Sequence, residues 1–196
     1  NICLAGTGVG KSLFMCHMAS SALMQNKNVL YITLEMSEER IAERIDANIL
    51  NIPMKELPDI SKKEYGKKIG RLKNKTKGKL IVKEYPTASA HVGHFRHVLQ
   101  ELNIKKDFQP DIIFVDYLNI CASQRIRPGA GANSYTLVKS IAEELRGLAV
   151  EYDVPIMSAT QTTRSGFGST DIGLEDTSES FGLPATADMM FALITS

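Results

Sequence analysis

Apolar residues in this chain alternate between two rhythms. Short runs with little polar interruption occupy residues 2–5, 29–34, 80–82, 112–115, 156–160 and 189–194, and predict strands buried on both faces. Between them the apolar positions recur at helical spacing. Residues 11–25 carry Leu13, Met15, Met18, Ala19, Ala22 and Leu23. Ser37, followed by Glu38 to Arg40, predicts the cap of a helix reaching Leu50. Residues 62–76 form a basic, weakly amphipathic helix, and Phe95, Val98, Leu99 and Leu102 mark the apolar stripe of another. The clearest helical pattern lies over residues 134–152, with Leu137, Val138, Ile141, Leu145, Leu148 and Ala149 on one side. Pro53, Pro58 and Pro110 punctuate the connections, and residues 123–133 form a loop rich in glycine and alanine. Regular alternation of buried strands with helices predicts an α/β fold, a mainly parallel twisted sheet with helices on both faces, binding ligands at the carboxyl ends of its strands.

Composition narrows this without changing it. A chain of 196 residues, 43% hydrophobic and 23% charged, suits one globular domain. No apolar run approaches the ~18 to 20 residues of a membrane span, and the first residues lack the flanks of a signal peptide, so a cytoplasmic location is expected. Cys3, Cys16 and Cys121 are odd in number and widely separated, which predicts buried thiols rather than disulfides or a zinc site. The net charge of +1 conceals ten cations between residues 62 and 83, against Glu64 alone. A solvated helix face is the expected reading of these, with a phosphate-contacting patch as the alternative. The chain begins at Asn1 within a predicted strand and ends just after another, so it is expected to be part of a longer protein.

Chemistry enters at Ala5-Gly6-Thr7-Gly8-Val9-Gly10-Lys11-Ser12, which fits a phosphate-binding loop with Ala5 in place of the first glycine. A strand precedes it and a helix follows. Glycines at positions 6, 8 and 10 let consecutive amides turn toward an anion, and the helix directs its positive end at the same point. Lys11 is expected on the β- and γ-phosphates of a nucleoside triphosphate and Ser12 on Mg²⁺.

Three further residues end predicted strands. Asp116 closes the apolar run 112–115, where a second carboxylate organises magnesium, through water. A cap for the following turn is the structural alternative. Glu35 follows the strand after the phosphate-binding helix, and from there it can orient and deprotonate an attacking water, which implies hydrolysis; a helix-start acid is the alternative. Gln161 follows the run 156–160 and can sense the γ-phosphate. His91, His94 and His97 are three residues apart, which carries them around a helix instead of onto one metal, so no metal site is expected there.

Taken together, the phosphate-binding loop, Thr33-Leu34-Glu35-Met36, residues 112–118, Ser158-Ala159-Thr160-Gln161 and Ala185-Thr186-Ala187-Asp188 resemble the RecA-like motor domain of DnaB-type replicative helicases. The resemblance covers nearly the whole chain. It is most marked toward the T-even bacteriophage branch, at Arg44-Ile45-Asp46-Ala47-Asn48, residues 133–139 and residues 182–188. It implies a ring of six subunits that hydrolyses ATP with Mg²⁺ at subunit boundaries and moves along single-stranded DNA, with primase and a helicase loader as possible partners. By resemblance Lys11, Glu35 and Gln161 are catalytic, Ser12 and Asp116 hold the metal, and loops after the Asp116 and Gln161 strands meet DNA. Those loops place Arg125, Arg127 and Arg164, with backbone amides, on the phosphates. The family's arginine finger and amino-terminal domain lie beyond the segments matched, so weak unwinding and weak association are expected of this chain alone. A RecA-type recombination ATPase, a P-loop phosphotransferase and a nucleotide-gated assembly module are the competing classes.

Overall fold

The computed structural model describes residues 1–126, 133–161 and 182–194. Six strands, β1 (Ile2–Ala5), β2 (Val29–Thr33), β3 (Leu80–Glu84), β4 (Ile112–Asp116), β5 (Ile156–Gln161) and β6 (Met190–Leu193), form one sheet in the order β3-β2-β4-β5-β1-β6. Every pairing is parallel. Parallel neighbours need crossovers, supplied here by α1 (Lys11–Met24), α2 (Glu38–Leu50), α3 (Lys62–Lys73), α4 (Val92–Lys106) and α5 (Ser134–Tyr152), while the short α6 (Gly182–Thr186) precedes β6.

Successive strand residues point to opposite faces, and the core divides accordingly. Leu30, Ile32, Ile113 and Val115 pack with Phe95, Leu99, Ile141 and Leu145 of α4 and α5. Val29, Tyr31 and Phe114 pack with Met15, Ala19, Ile41 and Ile45 of α1 and α2. The unbroken apolar runs are thus strands covered on both sides. Within α1 the buried side is Met15, Cys16, Ala19 and Leu23, whereas Leu13 and Met18 are exposed, because they lie on the turns facing away from the sheet. All three cysteines are free and buried.

The boundaries differ from expectation where side chains intervene. β2 stops at Thr33, whose hydroxyl accepts from the Met36 amide at 3.1 Å and donates to the Met36 carbonyl at 2.9 Å, closing a turn over residues 33–36. Ser37 caps α2, as expected, accepting from the Arg40 amide at 3.3 Å. α3 ends at Lys73, β3 continues to Glu84, and α6, with Pro184 in its first turn, is a helix that the sequence pattern is too short to reveal. His91 is the cap of α4, its ring accepting from the Gly93 amide at 3.0 Å while its own amide donates to the His94 ring. Among the described residues no helix is long and apolar enough to cross a membrane.

Candidate functional site at the carboxyl edge of the sheet

Register brings the predicted groups to one edge. Ala5 pairs with Gln161 across β1 and β5, and Thr33 pairs with Asp116 across β2 and β4. From Ala5 the chain turns through Gly8 at φ 78° and Gly10 at φ 109°, conformations that side chains resist. A Cβ at either glycine would meet nothing within 4 Å, so it is backbone torsion, and not crowding, that requires glycine there. The Val9 amide donates to the Gly6 carbonyl at 3.3 Å and tightens the loop. Gly10 is the N-cap of α1; no side chain caps this end, and its first turn holds no acidic residue. The positive end of α1 therefore faces the loop without a protein counter-charge from its own turn.

Lys11 is buried, its Nζ donating to the Gly6 carbonyl at 3.3 Å and standing 5.7 Å from the centre of the Tyr117 ring. Burial lowers its pKa, opposed by the negative charges of Glu35 and Asp116. Both carboxylates thus act on this ammonium from across the sheet edge. Glu35 itself is exposed, carried outward by the turn that Thr33 closes, and this turn is fastened to β4 where the Leu34 amide donates to the Asp116 carbonyl at 2.9 Å.

Asp116 is fully buried. Its Oδ2 accepts from the Tyr31 hydroxyl at 3.0 Å, but its Oδ1 has no hydrogen-bond partner among the described residues. Burial pushes its pKa up, against the lowering effect of the Ser12 and Tyr31 hydroxyls and of the Lys11 and Arg44 charges. An orphaned, buried carboxylate oxygen is costly unless a cation or its water meets it. Hard oxygen donors of this kind fit Mg²⁺, which keeps much of its water and takes one or two protein ligands alongside phosphate oxygens. Among the described residues no group of three or more His, Cys, Asp or Glu could form a metal cage.

Gln161 ends β5, its Nε2 donating to the Tyr117 hydroxyl at 3.3 Å, and the neighbouring Thr160 hydroxyl donates to Asn119 Oδ1 at 2.8 Å. Tyr117 thereby touches both the lysine and the glutamine, a role the sequence did not disclose. It follows Asp116 directly, but only the fold says which side chains surround it. Tyr31 was hidden in the same way, within an apolar run. Of the predicted DNA-contacting arginines, Arg125 rests against α5, with its guanidinium 3.1 Å from Glu143. Arg127 and Arg164 lie outside the described residues. The basic helix α3 leads into β3, an edge strand of the sheet, and is tied to α2 where the Tyr65 hydroxyl donates to Asp46. Among the described residues none of its cations makes an ion pair. A cavity of about 380 Å³ between α5, α6 and β5 is mainly apolar and holds none of the groups of this edge.

The model of the DnaB-like helicase C-terminal domain matches residues 1–194. The chain belongs to the DnaB-like helicase family. It is 50% identical over 197 aligned positions to the DnaB-like replicative helicase of enterobacteria phage T4, covering 99% of this chain and 41% of that protein. It is 28% identical to the replicative DNA helicase DnaB of Helicobacter pylori, covering 96% of this chain and 38% of that one. The chain therefore spans about two-fifths of the length of these relatives. Its fold matches a solved ATPase domain with a TM-score of 0.76 at 19% identity, over 99% of this chain and 68% of that one. It also matches a DnaB-like replicative helicase, described with its interactions with primase, with a TM-score of 0.75 at 21% identity, over 96% of this chain and 45% of that one. The DnaB-like fold, a RecA-like parallel sheet covered on both faces, is the one observed here.

Proposed function

We propose that this chain is the ATP-hydrolysing motor domain of a replicative DNA helicase, using hydrolysis to move along single-stranded DNA and unwind duplex. The observation that carries the reading is the placement of Lys11, Glu35 and the partnerless buried Asp116 at the carboxyl ends of β1, β2 and β4, on one sheet edge beside the Gly6–Gly10 turn. Membership of the DnaB-like family supports the helicase assignment over the recombination and phosphotransfer classes.

The amides of the loop and the first turn of α1 bind the phosphates, and Lys11 leaves the Gly6 carbonyl for the β- and γ-phosphate oxygens. Ser12 and Asp116 would hold Mg²⁺, the partnerless Oδ1 of Asp116 being the oxygen free to do so. The metal, when bound, neutralises charge developing on the phosphate oxygens. Glu35, exposed at the end of its turn, orients the attacking water and accepts its proton. Gln161 meets the γ-phosphate and reports its loss to Tyr117 and to the loop that follows β4. Arg125, Arg127 and Arg164 contact DNA phosphates. The longer protein forms a six-membered ring in the cytoplasm, with primase and a loader as further partners and the arginine finger supplied from a neighbouring subunit.

The test is the rate of ATP hydrolysis with and without oligothymidylate, for wild type and Glu35→Ala. Loss of a general base costs about 10²–10⁴ in turnover, so hydrolysis in Glu35→Ala should fall by that factor while ATP affinity survives. Hydrolysis indifferent to DNA in the wild type, or fully retained in Glu35→Ala, would overturn the reading.

A further inference from the structure

The root of the loop leaving β4 is gripped by a carboxylate that the chemistry above does not use. Glu144, buried on α5, accepts through Oε1 from the Ser123 hydroxyl at 2.6 Å, the Ser140 hydroxyl at 3.2 Å and the Arg125 amide at 3.3 Å. Its Oε2 accepts from the Gln124 amide at 2.9 Å. The Ser123 oxygen in turn accepts from the amides of Arg125 and Ile126, each at 3.1 Å. Three successive amides thus turn inward onto one carboxylate and one hydroxyl, the kind of concavity that elsewhere cradles an anion. Burial is the largest influence on Glu144 and raises its pKa, but the four hydrogen bonds together hold it below the usual carboxylate range.

Arg125 is held differently. Its exposed guanidinium rests on Glu143 at 3.1 Å, the Ser140 carbonyl at 3.3 Å and Glu144 at 3.5 Å. An exposed ion pair of this kind is weak and readily exchanged, so a phosphate can replace Glu143. Expelling Glu144 would instead leave the buried Ser123 and Ser140 hydroxyls and the half-buried Gln124 amide without their acceptor, so its grip is fixed. The gripped root is also close to the nucleotide edge. Between Asp116 and Ser123 the chain carries Tyr117, held by Gln161, and Asn119, held by Thr160.

We propose that Glu144 is a positioning residue for nucleic-acid engagement: it pins residues 123–126 against α5, so that Arg125 is presented to single-strand phosphates and exchanges Glu143 for them. This rests on the DNA-motor reading above. The amides of 124–126 serve the pin and not the DNA, which leaves the guanidinium as the phosphate contact at the root.

Neighbouring glutamates make the test sharp. Glu143→Gln and Glu144→Gln each remove one negative charge beside Arg125, and charge alone would make both bind DNA more tightly. The pin predicts opposite signs. With labelled oligothymidylate as the probe, Glu144→Gln should weaken binding about tenfold, while Glu143→Gln tightens it about two- to threefold. Ser123→Ala, which changes no charge, should weaken binding as Glu144→Gln does. Deuterium exchange at the amides of 124–126 should accelerate in Glu144→Gln and Ser123→Ala but not in Glu143→Gln. ATP affinity and DNA-independent hydrolysis should stay within about twofold of wild type in all three, a pattern that general loosening of the fold would not produce. Tighter DNA binding by Glu144→Gln, or ATP affinity lost together with DNA affinity, would overturn the positioning role. DNA binding by wild type with a silent Glu144→Gln overturns this role alone. A wild type that hydrolyses ATP and ignores DNA overturns the motor reading and the role with it.

Discussion

Tyr31→Phe removes one oxygen atom from the floor of the site and little else. The ring is fully buried and stacked on Phe114 at 5.6 Å between centroids, a contact that phenylalanine retains, so no cavity opens. What is lost is a weak 3.9 Å hydrogen bond accepted from the Cys16 thiol and, chiefly, the 3.0 Å hydrogen bond to Asp116 Oδ2, on a carboxylate whose Oδ1 already has no partner among the described residues. A hydrogen bond to a buried charge contributes about 1.5–3 kcal/mol, and for a chain of this size each kcal/mol moves Tm by about 2–4 °C, so a fall of about 3–12 °C is expected. The sign of the pH dependence follows from linkage. Burial has already raised the folded-state pKa of Asp116 above its unfolded value, so stability declines as pH rises through that interval and is flat above it. Removing the Tyr31 hydroxyl, which lowers that pKa, widens the interval and deepens the decline. Below the unfolded value Asp116 is protonated in both states, and the difference shrinks to that of a neutral hydrogen bond. Tyr31 remains a neutral donor throughout, its own pKa pushed well above the ordinary value by burial and by the Asp116 charge. Thermal unfolding of both proteins without nucleotide should show a larger difference above the raised folded-state pKa of Asp116 than below its unfolded value. Adding magnesium and a nucleotide should shrink it, because the cation supplies what the hydroxyl supplied. An unchanged Tm, or a loss of equal size above and below that interval, would refute the argument that Asp116 is an under-solvated carboxylate.

Two further substitutions separate the frame from the chemistry. Gly10→Ala places a Cβ at φ 109° in open space, so its cost is torsional strain alone, about 1–3 kcal/mol. It should also weaken nucleotide binding by at least about tenfold as the loop relaxes, both effects being readable by thermal shift with and without nucleotide. Ser37→Ala removes the cap of α2 and should cost about 1 kcal/mol, seen as a lower urea midpoint at unchanged slope. Hydrolysis at low temperature should be unaffected, since Ser37 touches none of the site groups; a large drop would show that α2 governs the placement of Glu35.

Much of this molecule is legible along the chain because the signals are local. A glycine-rich turn between a strand and a helix is readable at Ala5 to Ser12, since backbone torsion and helix polarity involve only neighbours. Strands covered on both sides read as unbroken apolar runs, and Ser37 before Glu38 reads as a cap, for the same reason. Shorter or composite features escape. α6 is too brief to carry a period, and His91 looks like one of three histidines in a helical series until the structure makes it the cap that precedes the helix.

By itself, then, the sequence determined the kind of elements, the class of ligand and the identity of Lys11, Glu35, Asp116 and Gln161 as candidates. Only the tertiary structure decided which groups meet. Tyr31 and Asp116 are 85 residues apart, and Gln161 and Tyr117 are 44 apart. Ser123 and Glu144 are 21 apart. None of these pairs leaves a mark on local periodicity, because each depends on strand order and register. That order, β2-β4-β5-β1, is set by how two separate apolar faces are buried at once, a property of the whole sheet and of no single stretch within it.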